Sequence, residues 1–136
     1  MNVLEEKQLF QLIKDKLIED LIPTEEFNHL DATSKKTKTG IELKCRREYY
    51  RFLMIEKHKY DKLINSSYKN LRYICSVPKG DMFEVFSFDI KKLPEPVWRE
   101  MWVPQTTDFK SKKWLKKLVG FYDNQQGNNI TQLLFN

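Results

Sequence analysis

The sequence predicts one domain with a mixed α/β fold, in which helices flank a central mixed sheet. The chain has 136 residues, the usual size of a single domain and enough to bury a core. Its hydrophobic content of 40% and aromatic content of 13% are typical of a folded globule. Helical and alternating patterns follow one another along the chain, an order that favours a sheet covered by helices.

The first element is an amphipathic helix over residues 3–20, which Pro23 ends. Its apolar face carries residues at helical spacing, namely Leu9, Phe10, Ile13, Leu17 and Leu21. Glu6 lies on that apolar face, and a carboxylate directed toward a core needs a partner. The alternative is that Glu6 lies in a solvated first turn, where the helix dipole stabilises it.

A β-hairpin follows the helix. Residues 27–33 form the first predicted strand, and the alternation of apolar and charged side chains from Ile41 predicts a half-buried second strand. The polar connection between them ends in glycine. If the chain folds back near residues 36–37, Asp31 lies opposite Glu42, and Lys44 follows on the same face.

Two carboxylates directly opposed on a sheet repel each other and destabilise it. The arrangement becomes favourable when a divalent cation lies between them, because hard cations such as Mg²⁺ prefer carboxylate oxygens. Lys44 would then lie beside the metal, where an ammonium group can orient a water or stabilise a phosphate oxyanion.

The remaining elements continue the pattern. Residues 56–66 have a helical face, and residues 71–77 and 82–90 are strands joined by a turn over residues 78–81. The predicted order is therefore αβββαββ, and residues 118–122 form a last edge strand. Trp98 and Trp102 are expected to pack onto the sheet. Residues 1–123 form the domain, and residues 124–136 are expected to be a polar, mobile tail, although residues 133–135 could dock on the body or on another chain.

The net charge of +5 is unevenly distributed. Residues 1–30 hold seven acidic and three basic side chains, whereas the remainder holds 12 acidic and 21 basic ones. A basic surface of this kind suits a polyanion such as nucleic acid, the alternative being a merely solvated face. The side chains expected to hold a nucleic-acid backbone are Lys35, Lys36, Lys38, Arg46, Arg47, Lys112 and Lys113.

Other classes of protein are disfavoured. Cys45 and Cys75 are too few for a disulfide framework and are expected to be buried thiols, and His29 and His58 are not spaced as a zinc pair. No run approaches 18 apolar residues and no signal-peptide pattern is present, so we expect a cytoplasmic protein without a membrane span.

Asp31 together with Glu42-Leu43-Lys44 resembles the signature of the PD-(D/E)XK nuclease superfamily, which includes restriction endonucleases and Holliday-junction resolvases. The signature is an Asp at the end of one strand and Glu-x-Lys on the next; Leu30 stands here where the family has Pro. The resemblance implies a restriction-endonuclease-like core and an endonuclease that hydrolyses DNA phosphodiester bonds with Mg²⁺ or Mn²⁺.

The resemblance also implies a role for each site residue. Asp31, Glu42, the backbone carbonyl of Leu43 and Glu6 would hold the metal. Lys44 would position the attacking water or stabilise the transition state, and Lys59, on the helix after the Glu-x-Lys strand, would point back at the site. The alternative is that Lys59 is an exposed lysine on a solvated helix face.

Two other functions stay open. The chain could be a module that binds nucleic acid on a nuclease-like fold without cutting, or a partner-binding protein in which Asp31 and Glu42 are solvated. A homodimer would place two sites on opposite DNA strands. The Lys- and Asn-rich composition is in keeping with an AT-rich genome such as that of a phage.

Overall fold

The computed structural model describes residues 3–24, 30–104 and 113–136. Its elements are, in chain order, α1 (Glu6–Lys16), β1 (Ile22–Pro23), β2 (Ala32–Ser34), β3 (Thr39–Cys45), β4 (Phe52–Glu56), α2 (Lys57–Ile64), β5 (Asn70–Lys79), β6 (Met82–Asp89), β7 (Arg99–Pro104), β8 (Trp114–Asp123), a 3-10 turn (Asn124–Gln126), β9 (Asn128–Asn129) and α3 (Thr131–Phe135). The strands form a six-stranded sheet in the order β1-β2-β3-β5-β6-β9 and a three-stranded sheet in the order β4-β8-β7.

The six-stranded sheet is mixed, which confirms the predicted mixed α/β class. Strands β3 and β5 are parallel, and the other neighbours in this sheet are antiparallel. A parallel pair needs a long crossover, and β4 and α2 supply it. The β5–β6 hairpin closes at Gly80, whose φ of 59° lies in the left-handed region that glycine adopts without strain.

Each face of the six-stranded sheet carries its own core. On one face α1 and α3 contribute Leu9, Ile13 and Leu134, and on the other α2 and β8 contribute Leu63 and Tyr122. Strand β3 is therefore covered on both faces, and the prediction that it is half-buried is wrong. The prediction failed because α2 packs over the charged face of β3, and the alternation of apolar and charged residues within the strand does not reveal this packing.

Two sequence predictions about the second sheet are wrong. Strand β8 contains the predicted edge strand, but it pairs with β4 on one side and with β7 on the other, so it is central. The other concerns one of the two tryptophans that were expected to pack onto the sheet. Trp98 packs against the core as expected, whereas Trp102 is 63% exposed.

The first strand of the predicted hairpin is shorter than expected in the part that the structure describes. The predicted strand over residues 27–33 lies partly outside the described residues, as does His29, and β2 begins at Ala32. Of the two cysteines, Cys75 is buried and Cys45 half-buried, and both thiols are free. No helix in the described ranges is long and apolar enough to cross a membrane.

The last 13 positions, for which the sequence predicts a mobile tail, contact the body of the domain. Strand β9 pairs with β6 through Phe86 and Asn129. Helix α3 follows and buries Leu134, which is 1% exposed, in the same core as α1. This contact corresponds to the docking that the sequence allowed for residues 133–135.

Candidate functional site

The β2–β3 register brings two carboxyl groups together. Ala32 pairs with Ile41 at the end of the β2–β3 ladder, as the predicted register requires, and the Asp31 carboxyl group next to it interacts with that of Glu42. The Asp31 amide donates a hydrogen bond to the Ile41 carbonyl at 2.9 Å, and Asp31 Oδ2 accepts one from the Leu43 amide at 2.7 Å. These two bonds fix both the backbone and the carboxyl group of Asp31 against β3.

Glu42 is buried, with 3% of its surface exposed. Burial and then the charge of Asp31 raise the pKa of Glu42 to about 7, and a hydrogen bond between the two carboxyl groups favours the protonated form further. Near neutral pH the pair therefore carries fewer than two negative charges. Lys59 opposes this shift but does not cancel it.

Helix α2 brings Lys59 to Glu42. The helix begins directly after β4, and Lys59, its third residue, places Nζ at 3.1 Å from Glu42 Oε1. Burial acts to lower the pKa of Lys59, but the charge and hydrogen bond of Glu42 outweigh it and raise that pKa. The structure thus joins the two residues that the resemblance assigns to one site.

Lys44 lies two residues further along β3 and is half-buried. Within the described ranges no carboxylate lies within ion-pair distance of its ammonium group. Burial, followed by the charges of Arg46 and Lys59, lowers the pKa of Lys44. Lys44 is therefore a cation available to a ligand of the site.

Glu6 lies in the first turn of α1 and is exposed over the residue as a whole. Partial desolvation of its carboxyl group and then the charge of Asp31 raise its pKa, while Lys44 and Lys59 act in the opposite direction. Glu6 is thus near enough to the carboxyl pair to interact with it electrostatically. The first turn of α1, which the sequence offered as the alternative position for Glu6, therefore lies beside the carboxyl pair.

Two carboxyl groups of the site could serve as ligands of a hard cation. Among the described residues no group of three or more His, Cys, Asp or Glu side chains is close enough to hold a metal ion. Mg²⁺, however, is commonly bound through one or two carboxylates and keeps several waters. Asp31 and Glu42 supply two carboxyl groups, and the Leu43 carbonyl faces the same strand edge as its amide, which already contacts Asp31.

Two further residues border the site, and sequence reasoning missed both. Lys117 Nζ on β8 lies 2.7 Å from Oε1 of Glu56, the last residue of β4. Burial acts to raise the pKa of Glu56, but Lys117 outweighs it and lowers that pKa. The charge of Glu56 in turn acts on Lys44 and Lys59. The pairing of two strands that are distant in sequence creates this contact, and no local pattern signals it.

The predicted backbone-binding residues near β3 separate into different environments. Arg46 Nη2 donates to the Met54 carbonyl at 2.7 Å, and the hydroxyl of Tyr73 donates to the same oxygen at 2.8 Å. Arg46 therefore joins β3 to β4, whereas Arg47 is exposed. Lys35, Lys36 and Lys38 form the hairpin turn, at the far end of β2 and β3 from Lys44.

The other predicted backbone-binding residues, Lys112 and Lys113, lie at the point where the described chain resumes. Lys112 lies outside the described residues, and Lys113 is exposed beside Trp114, which is 57% exposed. On the paired strand, Trp102 has the Lys116 ammonium 6.0 Å from its ring centre. The tryptophans of this strand pair are accessible for contact with a ligand.

Comparison of the chain with models of protein families, with curated proteins and with solved structures finds no match. The function must therefore be inferred from the geometry and charges of the residues themselves. The central group, which we name the carboxyl–lysine site, consists of Asp31, Glu42, Lys44 and Lys59.

Proposed function

We propose that the chain is a Mg²⁺- or Mn²⁺-dependent endonuclease that hydrolyses DNA phosphodiester bonds on a restriction-endonuclease-like core. The observation that carries this proposal is the contact between the Asp31 carboxyl group and the buried carboxyl group of Glu42. Burying one carboxyl group against another is unfavourable for the fold, so the pair calls for a role beyond stability. Groups with strongly shifted pKa values are concentrated at functional sites.

Asp31, Glu42 and the Leu43 carbonyl would hold the metal, with Glu6 close by. When bound, the metal would polarise the scissile phosphate and lower the pKa of a bound water. The chain's own contribution is positioning: the Leu43 amide fixes the Asp31 carboxyl, and burial restricts Glu42. A site fixed in this way needs little reorganisation during the reaction.

Lys44 would act on the reacting phosphate. Its ammonium group has no carboxylate partner among the described residues and lies on the same strand face as Glu42. An unpaired cation can orient the attacking water or stabilise the negative charge that develops on the phosphate oxygens. Lys59 would not contact the phosphate itself; it would position the Glu42 carboxyl group.

The charge of the molecule supports DNA as the substrate. The chain has a net charge of +5, and exposed lysines lie in the hairpin turn and on β8. Lysine contacts to phosphates give affinity without reading the base sequence. The homodimer that would present two sites to opposite strands stays a prediction of the sequence.

A non-catalytic nucleic-acid-binding module is the second candidate. The observation that favours it is the Glu42–Lys59 ion pair, because it gives Glu42 a cationic partner within the protein. The raised pKa of Glu42 weighs against it, since Lys59 leaves part of the electrostatic cost uncompensated.

The test is cleavage of supercoiled plasmid and of a four-way junction with Mg²⁺ or Mn²⁺. Wild type is compared with Glu42→Ala, Lys44→Ala and, as a control, Lys92→Ala at an exposed lysine after β6. We expect cleavage by wild type and the control, and none by the two site variants or with a chelator. No cleavage with DNA still bound in low salt would favour the binding module, and neither cleavage nor binding would exclude both functions.

A further inference from the structure

A cleft of about 470 Å³ lies between the hairpin turn and the loop that follows α2. We call it the lysine cleft. The residues that line it are Ser34, Lys35, Lys38, Ser67, Tyr68 and Lys69. No acidic side chain is among them, and three of the six are lysines, so the cleft concentrates positive charge.

The charges of the lysine cleft are not neutralised by the described part of the chain. Lys35, Lys38 and Lys69 are exposed, and none has a described carboxylate within ion-pair distance. Lys36, in the same turn, differs: its ammonium group lies 2.8 Å from Glu19 Oε1, on the other side of the turn. Three gathered cations without an anion repel one another, and a bound anion would relieve that repulsion.

The backbone around the lysine cleft is fixed. The Asn70 amide donates to the Lys38 carbonyl at 2.9 Å, and its side-chain nitrogen donates to the Thr37 carbonyl at 2.8 Å. Tyr68 packs so closely over Gly40 that a β-carbon there would lie 3.1 Å from Tyr68 Cδ2. The turn and the opposite loop are thus joined, which holds the lysine-bearing segments near each other.

The lysine cleft lies on the same side of the sheet as the carboxyl–lysine site. Gly40 and Glu42 share one face of β3, since alternate residues of a strand point the same way. Tyr68 covers Gly40, and Lys59 contacts Glu42. At about 3.3 Å per residue, Gly40 lies roughly 7 Å along the strand from Glu42, and the lysine cleft lies beyond it.

We propose that the lysine cleft binds a backbone phosphate of the nucleic-acid strand whose scissile bond lies at the carboxyl–lysine site. Lysines bind phosphate as point charges, and the Ser67 and Tyr68 hydroxyls that line the cleft can add neutral hydrogen bonds. The cleft thereby sets how the strand lies relative to Glu42. This inference rests on the proposed function for the identity of the strand.

The first test is DNA binding in a chelator, measured by fluorescence anisotropy over a range of salt concentrations. The double variant Lys35→Gln/Lys69→Gln removes two cleft charges, and Lys92→Gln removes the charge of an exposed lysine after β6, outside the cleft. Because the cleft holds one backbone phosphate, the loss of that contact in the double variant should reduce the slope of log K against log salt by about one. Lys92→Gln should keep the wild-type slope, and thermal melting should show that both variants are folded.

A wild-type slope in the double variant, or an equal loss in Lys92→Gln, would overturn the inference. Short oligonucleotides with and without terminal phosphates distinguish binding of a terminal phosphate from binding of a backbone phosphate. A loss seen only with phosphorylated ends would assign the cleft to a terminal phosphate and overturn the backbone assignment. If wild type does not cleave in Mg²⁺ but the slopes differ as expected, the nuclease proposal fails and phosphate binding by the cleft stands.

Discussion

Lys59 Nζ lies 3.1 Å from Glu42 Oε1, although the Glu42 side chain is 4% exposed and that of Lys59 is 36% exposed. The pair therefore has one charge inside the protein and the other at its surface. Solvent screens the attraction of an exposed lysine, and burial and Asp31 still raise the pKa of Glu42 to about 7. The folded protein holds a carboxyl group that is poised to change charge near neutral pH.

The first prediction concerns stability. The pKa of Glu42 is raised from its usual 4.5 to about 7, so the folded state binds this proton more tightly than the unfolded state does. Its contribution is favourable below pH 4.5 and is lost as pH rises to about 7. Glu42→Gln, which resembles the protonated form, should therefore be more stable than wild type at pH 8, by roughly 3 kcal/mol at most.

Urea unfolding at about pH 8 and about pH 4.5 measures this difference, which should nearly vanish at the lower pH. Glu95→Gln, at an exposed glutamate without a described ion pair, is the control. An advantage of Glu42→Gln that does not depend on pH would contradict the assignment of the proton to Glu42.

The second prediction concerns metal binding. A cation held by Asp31 and Glu42 binds the folded state alone, and it should stabilise that state by about 2.7 kcal/mol at 100 times its Kd. The Tm of wild type at pH 8 should rise with Mg²⁺, whereas that of Asp31→Asn and Glu42→Gln should not. The rise should be smaller at pH 6, where a proton on Glu42 competes with the metal. Equal shifts in all three proteins would place any bound metal elsewhere.

The third prediction concerns Lys59. Its positive charge acts to lower the pKa of Glu42, so Lys59→Met should raise that pKa further. The pH at which metal-dependent cleavage is half-maximal should then shift upward at limiting Mg²⁺. Lys62→Met, on the same helix, is the matched control and should keep the wild-type pH profile. An unchanged profile in Lys59→Met would show that the ion pair does not tune the site.

The fourth prediction separates two neighbouring arginines. Arg46 donates to the partly buried Met54 carbonyl, so Arg46→Met should cost about 1–3 kcal/mol of unfolding free energy. Arg47 is exposed, and Arg47→Met should leave stability within about 0.5 kcal/mol. If Arg47 contacts phosphate, its variant alone should flatten the salt dependence of DNA binding. A loss of stability in Arg47→Met, with Arg46→Met as stable as wild type, would contradict a structural role for the Arg46 hydrogen bond.

The sequence predicted the hairpin register because two local signals agreed. The polar, glycine-ended connection and the alternation from Ile41 indicated a hairpin that folds back near residues 36–37, and the observed pairing of Ala32 with Ile41 has that register. The helix carrying Lys59 was also predictable, because Tyr60 and Leu63 form a helical face that is buried.

The second sheet could not be predicted in the same way. Strand β4 pairs with β8 across more than 60 residues, and its sequence has no clean alternation, so nothing local distinguishes it from a turn. The same distance hides the Glu56–Lys117 contact. The burial of Glu42 likewise depends on α2 packing over β3, which a charged strand face does not reveal.

The most direct test of the central claim is plasmid cleavage by wild type and Glu42→Gln, side by side at pH 8 with Mg²⁺. Glu42→Gln is expected to be the more stable protein, so loss of activity cannot be ascribed to misfolding. We expect cleavage by wild type, none by Glu42→Gln, and a higher Tm for the variant. Cleavage by Glu42→Gln at the wild-type rate, or none by wild type, would contradict it.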